Sequence, residues 1–331
     1  MHEPESFLRR QALGQRSRRT AEDLVEAVAG LNAQTAHGPI VGLWTRLARL
    51  SLPRLDEALR DYRLIKANLL RGTVHLVTRR QYLAWRPALQ PMLERTVRGF
   101  CPGLWQQVDH DRLLAAGTEL LRQRPGLTRA EIGDALSPSF PGPEPRRLGF
   151  AIRLLLPVVQ LADESCWSPG RTRYLLADQA IGEPLGDAAA GTADLIRSFL
   201  RAFGPRTVAD ATYWSGLTRL GPVLTEVADR RSGAAYDVDP IIDQSPRPSV
   251  VLPEFDNVYF CSRDTSIGLI EAKARLVHGG AMPGSLITAD AAVRGDWTAT
   301  SRRLPELQPW SDLDDPERAE FDRFRAWWAA R

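Results

Sequence analysis

Residues Leu31 to Leu47 read LNAQTAHGPIVGLWTRL and set two amide side chains, Asn32 and Gln34, one residue apart at the edge of an apolar stretch. An amide withdrawn from water needs partners for both its carbonyl and its NH₂ group. Such a pair is therefore either carefully satisfied within the fold or used on a ligand. Competing catalytic signals are few. The chain has no P-loop, no HExxH, no GxSxG and no glycine-rich helix-hairpin-helix segment. His2, His37, His75, His110 and His278 lack ligand spacing, and Cys101, Cys166 and Cys261 are scattered and odd in number, so neither a metal site nor a disulfide framework is expected. The acidic pairs in AEDL and SDLDDPER fall at predicted helix starts, where capping accounts for them.

The elements that must position these residues follow a recurring order. TAEDLVEAVAGLNAQ begins with a Thr cap and acidic first-turn residues and carries apolar positions at helical spacing. IVGLWTRLA predicts a second helix, and SLPRLDEALRD a third, with a Ser cap and a first-turn Pro. LIKANLLRGTVHLVT then alternates β-branched and apolar residues around Arg71 and Gly72, which predicts a short hairpin. Three helices followed by a hairpin is the order of a winged helix. The order returns in RPGLTRAEIGDAL, EPRRLGFAIRLLLPVVQ and a hairpin turning at Ser168, Pro169 and Gly170. Residues 192–229 predict three more helices, separated at Gly204-Pro205 and near Gly216. Beyond about Ala235, YDVDPII, SVVLPEFDNVYFC, RLVHGG and GSLITADAAVRGDWTA read as short strands of a small sheet or barrel. DDPERAEFDRFRAWWAAR closes the chain as an amphipathic helix whose Phe321, Phe324, Trp327 and Trp328 are assigned to the core.

A length of 331 residues implies two or three compact modules. No apolar run is long enough for a membrane span, and the first twenty residues lack a signal-peptide core, so a cytoplasmic protein is expected. A net charge of +3 and a pI near 8.9 permit nucleic-acid binding without requiring it. Of the 43 basic residues only Lys66 and Lys273 are lysines, a bias that a GC-rich genome explains. Position is more informative than number. Arg71, Arg79 and Arg80 fall in and after the first hairpin and Arg171 and Arg173 in the second, where a winged helix meets the phosphate backbone. The alternative for each is a solvated surface side chain.

LNAQTAHGPIVGLWTRLA, LLRGTVHLVT, RAFGPRTVADATYWSGL and VVLPEFDNVYF, taken in this order, resemble the winged-helix DNA-binding domain family that contains the AlkZ-type bacterial DNA glycosylases. The resemblance covers most of the chain. It implies a mainly α fold with β, built as three tandem winged-helix modules braced by a C-terminal β-barrel-like element. The boundaries expected are 1–100 for the first winged helix with the catalytic motif, 101–185 for the second, 186–235 for the helices of the third, and 236–331 for the β-rich element with its closing helix. The family's catalytic motif is Gln-x-Gln or Gln-x-Asp close after the first helix, and here Asn32, Ala33 and Gln34 match it, the first amide being shorter by one methylene. The family's Ser-His-x-Asp-Arg run is replaced by Cys261, Ser262, Arg263 and Asp264, while Asp256 and Asn257 are read as turn formers.

The implied activity is hydrolysis of the N-glycosidic bond of bulky N7-alkylguanine or related N-alkylpurines in double-stranded DNA by a monofunctional glycosylase, with no metal or cofactor. An N7-alkylated guanine is already cationic and leaves readily, so the protein need only orient water and stabilise an oxocarbenium-like transition state. Gln34 is expected to position the water and Asn32 to partner it. His37, His75 and Arg263 join the arginines as expected DNA contacts. A monomer is expected, since a lesion has no two-fold axis to mirror, and protection of an organism from its own DNA-alkylating product is the implied setting. A winged-helix DNA-binding regulator without catalysis and a protein-interaction module are the other readings.

Overall fold

The computed structural model describes residues 6–163, 171–242, 244–264, 268–300 and 303–331. The chain divides into two compact units, one formed by Met1–Leu50, Ile196–Trp214 and Arg219–Arg331, the other by Ser51–Leu195 and Ser215–Thr218.

The first unit opens with α1 (Ser6–Arg10) and α2 (Ala21–Ala27), the latter started by Thr20, whose hydroxyl accepts from Asp23 N as the sequence predicts. The helical pattern does not run on to Gln34. Ala29 and Gly30 take positive φ angles of 59° and 83°, which ends the helix and turns the chain into β1 (Leu31–Asn32). The amide pair therefore sits on an extended stretch and the turn after it. Helix α3 (Gly38–Arg46) follows with Pro39 in its first turn, and every residue of it is buried.

The second unit begins with α4 (Leu52–Arg60) and the expected hairpin, β2 (Leu64–Asn68) against β3 (Val74–Thr78), antiparallel from Leu64↔Thr78 to Asn68↔Val74. Helix α5 (Arg79–Phe100) is unforeseen because Pro87 and Pro91 lie inside it. It survives them through a Thr78/Gln81 capping box and through burial of Tyr82, Trp85, Leu89 and Leu93. Beyond α6 (Leu104–Gln107) the chain runs through α7 (His110–Gln123), β4 (Leu127–Thr128), α8 (Arg129–Leu136), α9 (Pro145–Leu155), β5 (Val158–Gln160) and β6 (Arg173–Leu176). The three strands form an antiparallel sheet in the order β4-β6-β5. The turn residues Ser168, Pro169 and Gly170 lie outside the described residues. Helices α8 and α9 meet through glycines. A Cβ on Gly133 would fall 2.1 Å from Pro145 O, and one on Gly149 2.1 Å from Arg129 O. Buried Arg86 donates to the carbonyls of Leu154 and Leu155 at 3.0 and 2.8 Å, fastening α5 to the end of α9.

Helix α10 (Ala177–Ile181) leads to α11 (Ala188–Phe203), α12 (Val208–Ser215) and α13 (Gly221–Val227), which break at Gly204-Pro205 and beside Gly216 as read from the sequence. Phe199 and Phe203 of α11 pack on Trp214 of α12 in the first unit. A small hairpin, β7 (Arg230–Ser232) with β8 (Ala235–Asp237), comes next. Then β9 (Ser249–Leu252), α14 (Gly268–Leu276), β10 (Gly284–Thr288), β11 (Val293–Thr300), β12 (Arg303–Pro309) and α15 (Asp315–Ala330) complete the unit. RLVHGG is not a strand, since Arg275 and Leu276 close α14.

The expected barrel-like element is an open antiparallel sheet in the order β12-β11-β10-β9. Closure would require β9 to meet β12, and among the described residues it does not. The sheet's apolar side is covered instead by α15: Phe321, Phe324 and Trp328 pack with Val251, Leu286 and Trp297 and with Val41 and Trp44 of α3. Four short strands with a helix across them bury this face without closing on themselves.

Candidate active site

The turn after β1 owes its shape to the side chains in question. Asn32 is buried, and its carboxamide is turned onto its neighbour two residues on. Its Oδ1 accepts from Gln34 N at 3.0 Å, and its Nδ2 donates to Gln34 Oε1 at 3.1 Å. The first of these bonds is the Asx turn available to a side chain of Asn length. Gln34 itself is exposed. One amide is thus consumed in orienting the other, and the second is exposed to solvent.

The next residues lock the turn to α3. Thr35 Oγ1 accepts from Gly38 N at 3.0 Å. A Cβ on Gly38 would lie 2.9 Å from that hydroxyl, so a side chain here would push Thr35 off the bond, while Glu254 O and Asn32 O stand at ordinary contact distances of 3.6 and 3.7 Å from the same point. His37 is half-buried, edge-on to Trp328 at 4.9 Å, with Arg331 Nη2 3.3 Å from its Nδ1. Burial, helped by the Arg331 charge, pushes its pKa down to about 4. The ring is neutral at physiological pH and serves as an acceptor.

Behind the turn lies the segment Pro253–Asn257. Fully buried Arg46, at the end of α3, donates to both carboxylate oxygens of Asp256 at 3.1 and 3.0 Å, to Gln11 O at 2.9 Å and to Gly42 O at 3.1 Å. Asp256 Oδ1 also accepts from Val258 N at 3.1 Å. Asn257 donates to Gly30 O at 3.1 Å, and Thr45 Oγ1 to Val251 O at 2.6 Å. Asp256 and Asn257 therefore do more than shape a turn: they tie the loop to the strand and helix on either side of the amide pair. Glu254 reaches the Thr35 hydroxyl, and its burial raises the carboxyl pKa while that hydrogen bond opposes the rise. The sequence marks Asp256 only as a turn former and gives no sign of Glu254 or Arg46, because none stands in a patterned cluster. Only the run PEFDN, with Phe255 at φ 55°, hints at a constrained loop.

The expected DNA contacts are divided between the two units. Arg71 sits at the tip of the β2–β3 hairpin in a left-handed conformation, φ 56°. His75 is fully buried, its Nδ1 3.1 Å from Thr73 O, an interior place rather than a surface one. Arg79 is held by Tyr62 O at 3.1 Å, Asp61 O at 2.6 Å and Glu183 at 3.0 Å, and Arg80 pairs with Asp194 at 2.9 Å. Arg171 and Arg173 are exposed at the β6 end of the second hairpin, Arg173 3.9 Å from Asp163. Arg263 is exposed in the first unit with its guanidinium 5.5 Å over the Tyr213 ring, whereas the neighbouring Cys261 is buried beside Arg206. Among the described residues no group of three or more His, Cys, Asp or Glu is arranged to hold a metal ion, and no helix is long and apolar enough to cross a membrane.

The profile of the family DNA glycosylase AlkZ-like matches residues 25–329, a span that contains the amide pair, α3 and the loop behind them. The chain belongs to the AlkZ-like DNA glycosylases. Among solved structures, this AlkZ-like chain is similar to the Streptomyces sahachiroi DNA glycosylase AlkZ, with a TM-score of 0.74 and 17% identity over 98% of this chain and 95% of the other. At that identity the likeness speaks for the fold. No curated protein sequence is matched. As an AlkZ-like glycosylase the protein is a DNA-repair enzyme that breaks a base–sugar bond.

Proposed function

We propose that this glycosylase hydrolyses the N-glycosidic bond of bulky N7-alkylguanine and related N-alkylpurine adducts in duplex DNA, as a monomer without metal or cofactor. The observation that carries the reading is the reciprocal Asn32–Gln34 pair with its outer amide exposed. Gln34 holds the attacking water at C1′, and Asn32 is a positioning residue that fixes Gln34. An amide orients water and turns a negative oxygen toward a sugar cation, but it accepts a proton poorly. Such a site favours bonds that alkylation has already weakened. A bulky adduct is served by an open turn of this kind rather than by a tight pocket for a flipped base.

The DNA-binding part of the proposal rests on the winged-helix reading. The order α7, β4, α8, α9, β5, β6 with its β4-β6-β5 sheet supports it for the second module, and Arg171 and Arg173 then lie on the wing. Arg71 and Arg263 are assigned to phosphate contacts as well, whereas Arg79 and Arg80 would have to exchange acidic partners within the chain for phosphate. His75 is left to the interior. Phosphate contacts predict affinity that falls steeply with salt. The setting proposed is the cytoplasm of a GC-rich bacterium that makes a DNA-alkylating product, for which the enzyme provides self-resistance.

The test is base release from duplexes carrying N7-methylguanine or a bulky N7 adduct. Wild type should release base above the spontaneous rate, Gln34→Ala should lose at least 10²-fold, and Asn32→Ala should lose about tenfold by letting Gln34 wander, a small fraction of what positioning can contribute. Wild-type release no faster than the spontaneous rate would sink the assignment.

A further inference from the structure

The amide pair leaves one requirement of hydrolysis unmet. Water that adds to C1′ must give up a proton, and neither Asn32 nor Gln34 takes one readily. Candidate acceptors near the turn are few. His37 is turned to Arg331 and Trp328. Asp256 has both oxygens on Arg46 and one on Val258 N besides. Glu254 is different. Its carboxylate shares a hydrogen bond with Thr35, the residue next to Gln34, and its Oε2 is out of solvent with no hydrogen-bond partner among the described residues. A carboxylate oxygen left in this state is costly for folding alone, which makes it a place to look for function.

The connections run in one line. Gly38 N donates to Thr35 Oγ1, and Thr35 bonds in turn to Glu254. The backbones of Glu254 and Asn32 and the Thr35 hydroxyl all lie within 4 Å of one point beside Gly38. The carboxylate thus braces the turn that carries Gln34 through Thr35, while its Oε2 has no hydrogen-bond partner among the described residues.

We infer that Glu254 is the proton acceptor of this glycosylase: its Oε2 takes the proton of the water that Gln34 holds at C1′. The inference rests on the reading of Gln34 given above. As the water oxygen bonds to C1′, the C1′–N9 bond breaks and its electron pair neutralises the cationic alkylguanine, which leaves uncharged. The water proton passes to Glu254 and from there to solvent. Burial, which raises this carboxyl's pKa, makes the anion a better base than an exposed glutamate.

Glu254→Gln keeps the shape of the side chain and a hydrogen-bonding partner for Thr35 but cannot accept the proton. Single-turnover release of N7-methylguanine from duplex DNA should be slower by about 10² to 10⁴-fold in this variant. The wild-type rate should fall as pH drops through the raised carboxyl pKa, and the variant should lack that acid limb. Binding gives a readout that needs no turnover. Wild type should hold a duplex carrying a cationic pyrrolidine abasic analogue at least tenfold more tightly than one carrying neutral tetrahydrofuran. Glu254→Gln should lose that preference while its affinity for the tetrahydrofuran duplex stays unchanged. A variant that keeps the wild-type rate and acid limb, or the preference for the cation, overturns the inference. If wild type releases no alkylguanine, the proposed substrate fails, and the analogue pair still decides whether Glu254 faces C1′.

Discussion

Replacing Asp256 by alanine leaves the Arg46 guanidinium fully buried, with the carbonyls of Gln11 and Gly42 as its remaining hydrogen-bond partners among the described residues. Two hydrogen bonds from Arg46 Nη2, at 3.1 and 3.0 Å, disappear together with the Asp256 bond to Val258 N. Removing one partner of a buried ion pair typically costs about 3–5 kcal/mol, most of it the desolvation of the charge left behind. The lost backbone bond adds about 1 kcal/mol. The expected destabilisation, about 4–6 kcal/mol, is a large share of the ~5–15 kcal/mol that holds a folded domain together. Urea unfolding followed by tryptophan fluorescence reads it, since Trp44, Trp297, Trp327 and Trp328 all lie in the unit that contains the pair. Arg46→Met combined with Asp256→Leu should recover most of the loss, because two apolar side chains leave no stranded charge. A loss below about 1 kcal/mol in Asp256→Ala, or a double variant as unstable as the single one, would refute the account of Arg46 as a charge dependent on this carboxylate.

His37 gives the first unit a pH dependence. Its folded pKa of about 4 lies below the ordinary histidine value of 6.5, so between these limits the unfolded chain binds more protons and stability falls as pH drops. Discounted for the partial exposure of the ring, the loss amounts to about 1–2 kcal/mol, and urea midpoints measured from pH 7 to pH 4 should show it diminished in His37→Gln. Gly133→Ala sets a methyl group 2.1 Å from Pro145 O, where the obstacle is backbone. Overpacking of this kind costs about 1–3 kcal/mol, and a thermal melt unchanged from wild type would argue that α8 and α9 are not so closely joined.

Much of the fold announced itself locally. Thr20 and the acidic turn after it start a helix, Arg71-Gly72 turns a hairpin whose two strands are as long as the alternation suggests, and the aromatic stripe of the last helix is core. What escaped the sequence was decided by distant packing. A helix with prolines at 87 and 91 looks broken until the apolar residues between and around them are seen buried together. The strands from Ser249 onward form an open sheet because a helix 16 residues long, not a fifth strand, covers it. At the site, Asn32 and Gln34 stood out as a polar pair in an apolar run, and their mutual hydrogen bonds explain that placement. Glu254 and Asp256 gave no comparable signal, since single carboxylates in a loop look like any other surface acid until their partners from the first fifty residues are found.

The pairing of Arg46 with Asp256 also sets a clock on the enzyme's birth. The two residues are 210 positions apart, so at a synthesis rate of about 5–20 residues per second the arginine waits roughly 10–40 s for its carboxylate to be made. Until then the charge at the end of α3 must stay in water, and the turn bearing Gln34 lacks the loop that backs it. The turn bearing Gln34 is among the first parts of this chain to be synthesised and among the last to be finished.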